Sequence, residues 1–295
     1  MSTPSAVPAT PHSPGVGIAW MLLTMLLFVS MDTLAKYLAQ SYPVLQIVWA
    51  RFFFHGIWLA LYLHRQLPRY LHSQRIWLQL GRGACLVATT MLFFSALSLL
   101  PLANASAIML VGPLIVTALS MPLLGEQVGP RRWAGVIIGF GGALIIIRPG
   151  SDVMQWASLL PLAAACIYGL YQISTRVLSR FDPPLTTLLY TVSVGLPVCT
   201  LLLPWIWVWP DGQGWLLMAG VGLLGGLSHF TLIKAFSVAP AVVITPFSYS
   251  NMLWAISLGY LVFGEWPDHW TLIGAGIIAA SGLYIFYREQ QLKQQ

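Results

Sequence analysis

The chain has 295 residues, of which 58% are hydrophobic and only 7% charged, with a formal net charge of +6; its mean hydropathy is +0.78. So much apolar content with so little charge excludes an ordinary soluble domain and a disordered chain. The basic excess collects in short connections between apolar stretches, where anionic headgroups account for it, so it gives no support to a nucleic-acid partner.

Ten apolar stretches follow one another, over residues 17–39, 44–64, 77–100, 104–123, 132–147, 156–176, 185–206, 214–237, 240–264 and 270–287. Each approaches the roughly 20 residues a helix needs to cross a bilayer. Backbone groups in lipid must be satisfied within the segment, and strand-length alternation is absent, so helices are expected and a barrel is not. Residues 1–16 are rich in Pro, Ser and Thr and contain no Lys or Arg, which reads as a disordered cytoplasmic tail and not as a secretory signal. Residues 288–295 form a second tail. Pro43, Pro101, Pro183, Pro184 and Pro240 fall at the joints, where a missing amide donor costs least.

The first span carries Asp32, the one acidic residue well inside any stretch. A charge at a helix centre costs about 2.5–3.5 kcal/mol on insertion scales, so it needs a partner or water. Lys36 follows one turn later on the same face, and Arg51 enters span two at similar depth. The three residues read as one cluster in the outer half of the bundle. It is either a structural ion pair tying spans one and two, or a carboxylate that couples protons or grips a zwitterionic or anionic solute.

Further along, Arg82 and Lys234 lie near inner span ends, where long basic side chains reach headgroups. Glu126 and Glu265 follow spans four and nine as interfacial caps, and the Gly135 to Gly139 spacing, with Gly274, Gly276 and Gly282 in span ten, permits close helix contact. Polar stripes at helical spacing mark spans six to nine: Tyr168, Tyr171, Gln172 and Thr175; Thr186, Tyr190 and Ser193; His229 one turn past Gly225 and Gly226; and Thr245, Ser248 and Asn251 with Tyr249 and Trp254 nearby. Each stripe alone could be hydrogen-bonding glue between helices. Together they outline a shared cavity lined by Tyr168, Tyr171, Gln172, Tyr190, His229, Tyr249, Asn251 and Trp254, suited to a mostly apolar or aromatic organic solute. Trp205, Trp207, Trp209 and Trp270 belong to the interfacial aromatic belt.

Basic residues fix the orientation. With the N-terminus inside, the inner connections and tail hold Arg65, Arg69, Arg75, Arg131, Arg132, Arg180, Arg288 and Lys293, against Arg148 outside, so both termini are cytoplasmic. Several dead ends close quickly. Gly220, Gly222 and Gly225 spell a dinucleotide-type G-x-G-x-x-G but lie inside an apolar span with no preceding strand. Cys85, Cys166 and Cys199 have no C-x-x-C spacing and read as small hydrophobes. No cofactor, catalytic or metal signature is present.

The second half repeats the first. Ser95–Pro101 aligns with Lys234–Pro240 so that Ala96 meets Ala235, Ser98 meets Ser237 and Pro101 meets Pro240, and Gly125–Glu126 meets Gly264–Glu265, all at an offset of 139 in the sequence. Five spans per copy is odd, so the second copy enters the membrane inverted. Two inverted halves can exchange conformations around a midplane site, the basis of alternating access.

With this span count, the duplicated Gly-Glu pair and the glycine-rich fifth span, the chain resembles the drug/metabolite transporter superfamily, in particular EamA-type proteins, over about residues 17–287. The resemblance implies an all-α bacterial inner-membrane protein with repeat one at 17–147 and repeat two at 148–287. It also implies a secondary transporter of a small organic metabolite such as an amino acid or vitamin, acting as monomer or homodimer. Export is the first reading of direction and uptake the second. Proton coupling through Asp32 stays open, and an intramembrane enzyme and a channel or scramblase remain the readings from other classes.

Overall fold

A computed structural model describes residues 14–125, 129–149, 156–239 and 241–293. In chain order the helices are α1 (Pro14–Leu38), α2 (Val44–Leu63), α3 (Leu67–Tyr70), α4 (Ile76–Leu99), α5 (Leu102–Met109), α6 (Gly112–Leu124), α7 (Pro130–Ile147), α8 (Leu159–Leu178), α9 (Pro184–Leu202), α10 (Gly212–Val238), α11 (Ala241–Ile244), α12 (Ser250–Phe263) and α13 (His269–Lys293). Helix α1 begins inside the segment read as a tail, while residues 1–13, Glu126, Pro240 and Gln294 lie outside the described residues.

Among the described residues nine helical passages are long and apolar enough to cross a membrane, α5 and α6 together making one of them. The remaining expected crossing, span nine, is assembled from α11, a 3-10 turn at Thr245–Tyr249 and the 14-residue α12, so no single helix in it reaches spanning length. Pro246 explains the break, since it supplies no amide donor to the turn before it. Span four breaks between Met109 and Gly112, just ahead of Pro113. Each repeat therefore interrupts its fourth crossing. Irregular backbone at membrane depth is tolerated where protein or a cavity satisfies it.

The duplicated glycine has a backbone reason. Gly125 and Gly264 both adopt φ +67°, closing α6 and α12 in the left-handed conformation that a side chain disfavours. The packing follows the same two-fold logic: α1 lies along α10 as α8 lies along α4, and α7 packs on α13. Small residues make that last contact close, because a Cβ on Gly142 would stand 2.8 Å from the Gly274 carbonyl oxygen and one on Gly135 would stand 2.6 Å from Ile285. Gly276 meets nothing within 4 Å, so it takes no part in the helix contact expected of it.

Polar latches related by the same symmetry tie the ends. On the outer side Gln46 donates to the Val208 carbonyl at 2.7 Å and accepts the Val208 amide at 3.0 Å, while Tyr42 donates to Asp211 at 3.2 Å. On the inner side buried Asp182 accepts from Ser73 at 2.5 Å, the Gln74 amide at 3.0 Å and the Gln79 side chain at 2.8 Å. Burial opposes the charge of Asp182, but those three donors and the nearby His72 outweigh it and hold its carboxyl below the usual carboxylate range.

Arg82 corrects the sequence expectation. It does not reach for the headgroups but is 2% exposed, donating to Thr175 at 2.7 Å, the Thr187 carbonyl at 3.1 Å, Thr191 at 2.8 Å and the Tyr171 hydroxyl at 2.7 Å. It is the polar joint of α4, α8 and α9. With so many acceptors inside the bundle, the guanidinium gains more there than the aqueous boundary would offer.

Orientation and latch can both be tested. In a chain freed of its native cysteines, Ser41→Cys should react with an impermeant thiol reagent in intact cells and Gln66→Cys should not; both sites are exposed, so only sidedness decides the result. Labelling at residue 66 from outside would refute the orientation. Because the Asp182 carboxyl titrates lower folded than unfolded, its stabilisation is present above the ordinary carboxylate value and is lost as pH falls through the folded one. Asp182→Ala should therefore destabilise the protein by about 1–3 kcal/mol at neutral pH and flatten the acid side of the thermal-melt profile below about pH 4.

Candidate functional site

Between the repeats lies a cavity of about 470 Å³. Both interrupted crossings face it, through Met109, Leu110, Gly112 and Pro113 on one side and Thr245, Pro246, Ser248 and Tyr249 on the other. Helices α1, α2, α4, α8, α10, α12 and α13 complete the wall. Most of the surface is apolar and aromatic, with Phe28, Phe93, Phe94, Phe286 and the methionines of α1. Gly282 leaves the room that the Tyr249 hydroxyl occupies. In the assigned orientation the wall extends through the cytoplasmic halves of α1, α10 and α13, at Met21, Phe236 and Phe286.

A few polar groups converge on this surface: Asp32, Arg51, Thr89, Thr90, Ser106, Tyr168, Gln172, Ser248, Tyr249 and Asn251. The hydroxyls of Thr89 and Ser106 are buried without a hydrogen-bond partner among the described residues. Arg51 is 6% exposed, donates to Thr90, and is flanked by the rings of Phe52 at 5.6 Å and Phe94 at 5.8 Å. Beside it, a Cβ on Gly225 would crowd the Met31 sulfur at 3.2 Å while making only ordinary contact with the guanidinium Nε at 3.7 Å. Asp32 is 7% exposed, and among the described residues it accepts no hydrogen bond and has no basic side chain within ion-pair reach.

The expected cluster of three charges does not form. Lys36 leaves Asp32 and Arg51 and pairs with Glu265 at 3.0 Å, while also donating to the Leu97 carbonyl at 3.2 Å and the Leu100 carbonyl at 2.5 Å. Glu265 in turn accepts the Leu102 amide at 3.0 Å. One ion pair thus satisfies the carbonyl end of α4 and the amide end of α5. Its length lets the lysine reach outward, past the turn that Asp32 occupies. A second ion pair, Arg148 with Asp268, stands on the same outer face.

Of the residues predicted to line the site, Tyr168, Gln172, Tyr249 and Asn251 share the cavity. Tyr171, Tyr190, His229 and Trp254 are placed elsewhere. Tyr171 is buried with its hydroxyl on Arg82 and the guanidinium over its ring at 4.4 Å, and it stacks on Tyr168 with centroids 5.4 Å apart. Tyr190 donates to the Leu71 carbonyl at 2.9 Å, on the inner loop. His229 packs edge-on to Phe28 at 5.4 Å and parallel to His55 at 6.1 Å, sealing α2 against α10. Trp254 packs into the core beside α1. The sequence reading missed Thr89, Thr90 and Phe93 on α4 and Ser106 on α5, although a Thr-Thr pair within an apolar helix was a visible signal.

Comparison with known proteins agrees with this architecture. The EamA-like transporter family model matches residues 15–148 and 155–287, one copy on each repeat. The chain is 31% identical over 279 residues to a riboflavin transporter of Vibrio cholerae, covering 93% of this chain and 94% of that protein. It is 26% identical to an S-adenosylmethionine uptake transporter of Rickettsia felis, again over 93% and 94%. A crystal structure superposes with a TM-score of 0.65 at 21% identity, covering 95% of this chain and 99% of its own, which shows the shared fold. With the family model matched across both halves of a duplicated membrane bundle, the chain belongs to the EamA-like transporter family and is a multi-pass protein of the bacterial inner membrane that transports a small metabolite.

Proposed function

We propose that the protein imports a flat nitrogen-heteroaromatic metabolite carrying a hydroxylated chain, a flavin-like solute, by alternating access. The observation that carries this reading is the cavity itself. Its 470 Å³ falls within the roughly 300–1,000 Å³ of small-molecule sites, and its wall is apolar with few convergent polar groups. Phe28, Phe93, Phe94, Tyr168 and Tyr249 supply ring faces for stacking, and Gln172, Ser248 and Asn251 supply hydrogen bonds to hydroxyls.

The names of the relatives point the same way. Riboflavin and S-adenosylmethionine both join a fused nitrogen heterocycle to a hydroxylated five-carbon unit. Export, placed first on sequence alone, gives way to uptake, because several relatives aligned over nearly the whole chain are named uptake transporters, against a more weakly matched one named an exporter. Inverted repeats around a midplane cavity favour a carrier over a continuous pore.

Proteoliposomes loaded with unlabelled riboflavin should take up labelled riboflavin saturably and faster than empty ones. Tyr168→Ala and Asn251→Ala should each raise KM about tenfold with little change in melting temperature. Tyr190→Phe, away from the cavity, should leave KM unchanged. Linear, non-saturating flux would indicate a channel, chemical change of the solute an enzyme, and equal effects at residues 168 and 190 a misplaced site.

A further inference from the structure

Asp32 and Arg51 face one cavity without closing on each other. The two charges attract each other across the cavity, but among the described residues no hydrogen bond or close ion pair joins them, so α1 and α2 are not tethered there. Arg51 is held in place by Thr90 and by the rings of Phe52 and Phe94. A guanidinium has five N–H donors, so several are left for a ligand. The Asp32 carboxylate accepts nothing from the described residues, though it is more than nine-tenths buried and lines the cavity. Lys36, the other cation of its helix face, is committed to Glu265 and two carbonyls on the outer side.

The shared site narrows the chemistry of its occupant. An anion would satisfy Arg51 and be repelled by Asp32, and a cation would do the reverse. A neutral edge carrying an N–H donor beside an acceptor satisfies both at once, with the geometry that makes a bidentate contact specific. The remaining wall, built of Phe, Tyr and Met side chains, suits the body of a flat ring; a zwitterion would also meet both charges, its ammonium on Asp32 and its carboxylate on Arg51, and an amino-acid competitor separates the two.

We propose that Asp32 and Arg51 together read the donor–acceptor edge of the cargo's nitrogen heterocycle, Asp32 accepting its N–H and Arg51 donating to the adjacent carbonyl or ring nitrogen. This rests on the cargo assignment above and adds the atoms by which the ring is recognised. Riboflavin presents such an edge at N3–H and its neighbouring carbonyls, and methylation at N3 deletes the donor while keeping ring and side chain. A site that hydrogen-bonds a substrate N–H rejects an analogue lacking it, because its own polar group is left unpaired.

The test is equilibrium binding to the purified full-length protein, with riboflavin and 3-methylriboflavin as probes and zwitterionic tryptophan as competitor. The wild type should bind 3-methylriboflavin at least about tenfold more weakly than riboflavin, and tryptophan should not displace the flavin. Asp32→Ala should weaken riboflavin binding and bring the two flavins to similar affinity. The wild-type comparison needs no variant, so it decides even if Asp32→Ala folds poorly. Equal wild-type affinity for both flavins, or displacement by tryptophan, would overturn the edge-reading role and leave the cargo assignment standing. Wild-type-like flavin binding by Asp32→Ala with loss of accumulation would overturn it in favour of proton coupling. Binding of neither flavin would overturn the cargo assignment, and this inference with it.

Discussion

The Lys36–Glu265 ion pair joins the two repeats at the outer end of the bundle. Both side chains are mostly shielded, at 11% and 27% exposure, and between them they satisfy helix-end groups at Leu97, Leu100 and Leu102. Helix α1 of the first repeat is thereby fastened to the end of α12 in the second. The Gly264 turn makes this contact reachable, because its left-handed backbone reverses the chain just before Glu265. Opening that side means separating the pair and exposing three backbone groups at the outer end. Water at the outer face can satisfy them.

Beneath that closure, the interrupted fourth crossings shape the site. At each break, backbone that a continuous helix would have hidden faces the cavity, and the residues around Pro113 and Pro246 line it. Much of the polar interior is satisfied, although Asn104, Trp254 and Thr271 also keep a buried polar atom without a partner among the described residues. Arg82 spends its donors on α8 and α9, Gln46 and Asp182 latch opposite ends of the bundle, and Thr24 donates to Thr231 across α1 and α10. At the cavity itself, Thr89 and Ser106 keep hydroxyls without a partner, and Asp32 accepts no hydrogen bond, among the described residues.

Spans and repeat were legible in the sequence because the bilayer fixes helix length and because duplication left Gly125–Glu126 and Gly264–Glu265 in register. Span nine was read as continuous because its apolar run hides the turn at Thr245–Tyr249, although Pro246 was a visible cue. Tyr168, Gln172, Tyr249 and Asn251 were found from helical spacing, which reports a face. Spacing does not say what the face meets. Tyr171 lies on the same stripe as Tyr168, yet its hydroxyl is taken by Arg82, and Tyr190 is taken by the Leu71 carbonyl. The partner of Lys36 lay in the other repeat, and local spacing favoured Asp32 instead. Long-range pairing of charges is set by tertiary packing, which a single sequence does not display.

Alternating access requires the outer end to open and close once per transport cycle. Gln40 and Phe263 flank the Lys36–Glu265 pair from the two repeats. With the native cysteines removed, Gln40→Cys and Phe263→Cys can be joined by a short bis-maleimide and riboflavin counterflow measured before and after. Cross-linking should abolish counterflow while leaving binding from the cytoplasmic side intact, and the same reagent should have no effect on either single variant. Undiminished counterflow in fully cross-linked protein would rule out alternating access at this end, because solute would then be crossing without the outer end ever opening.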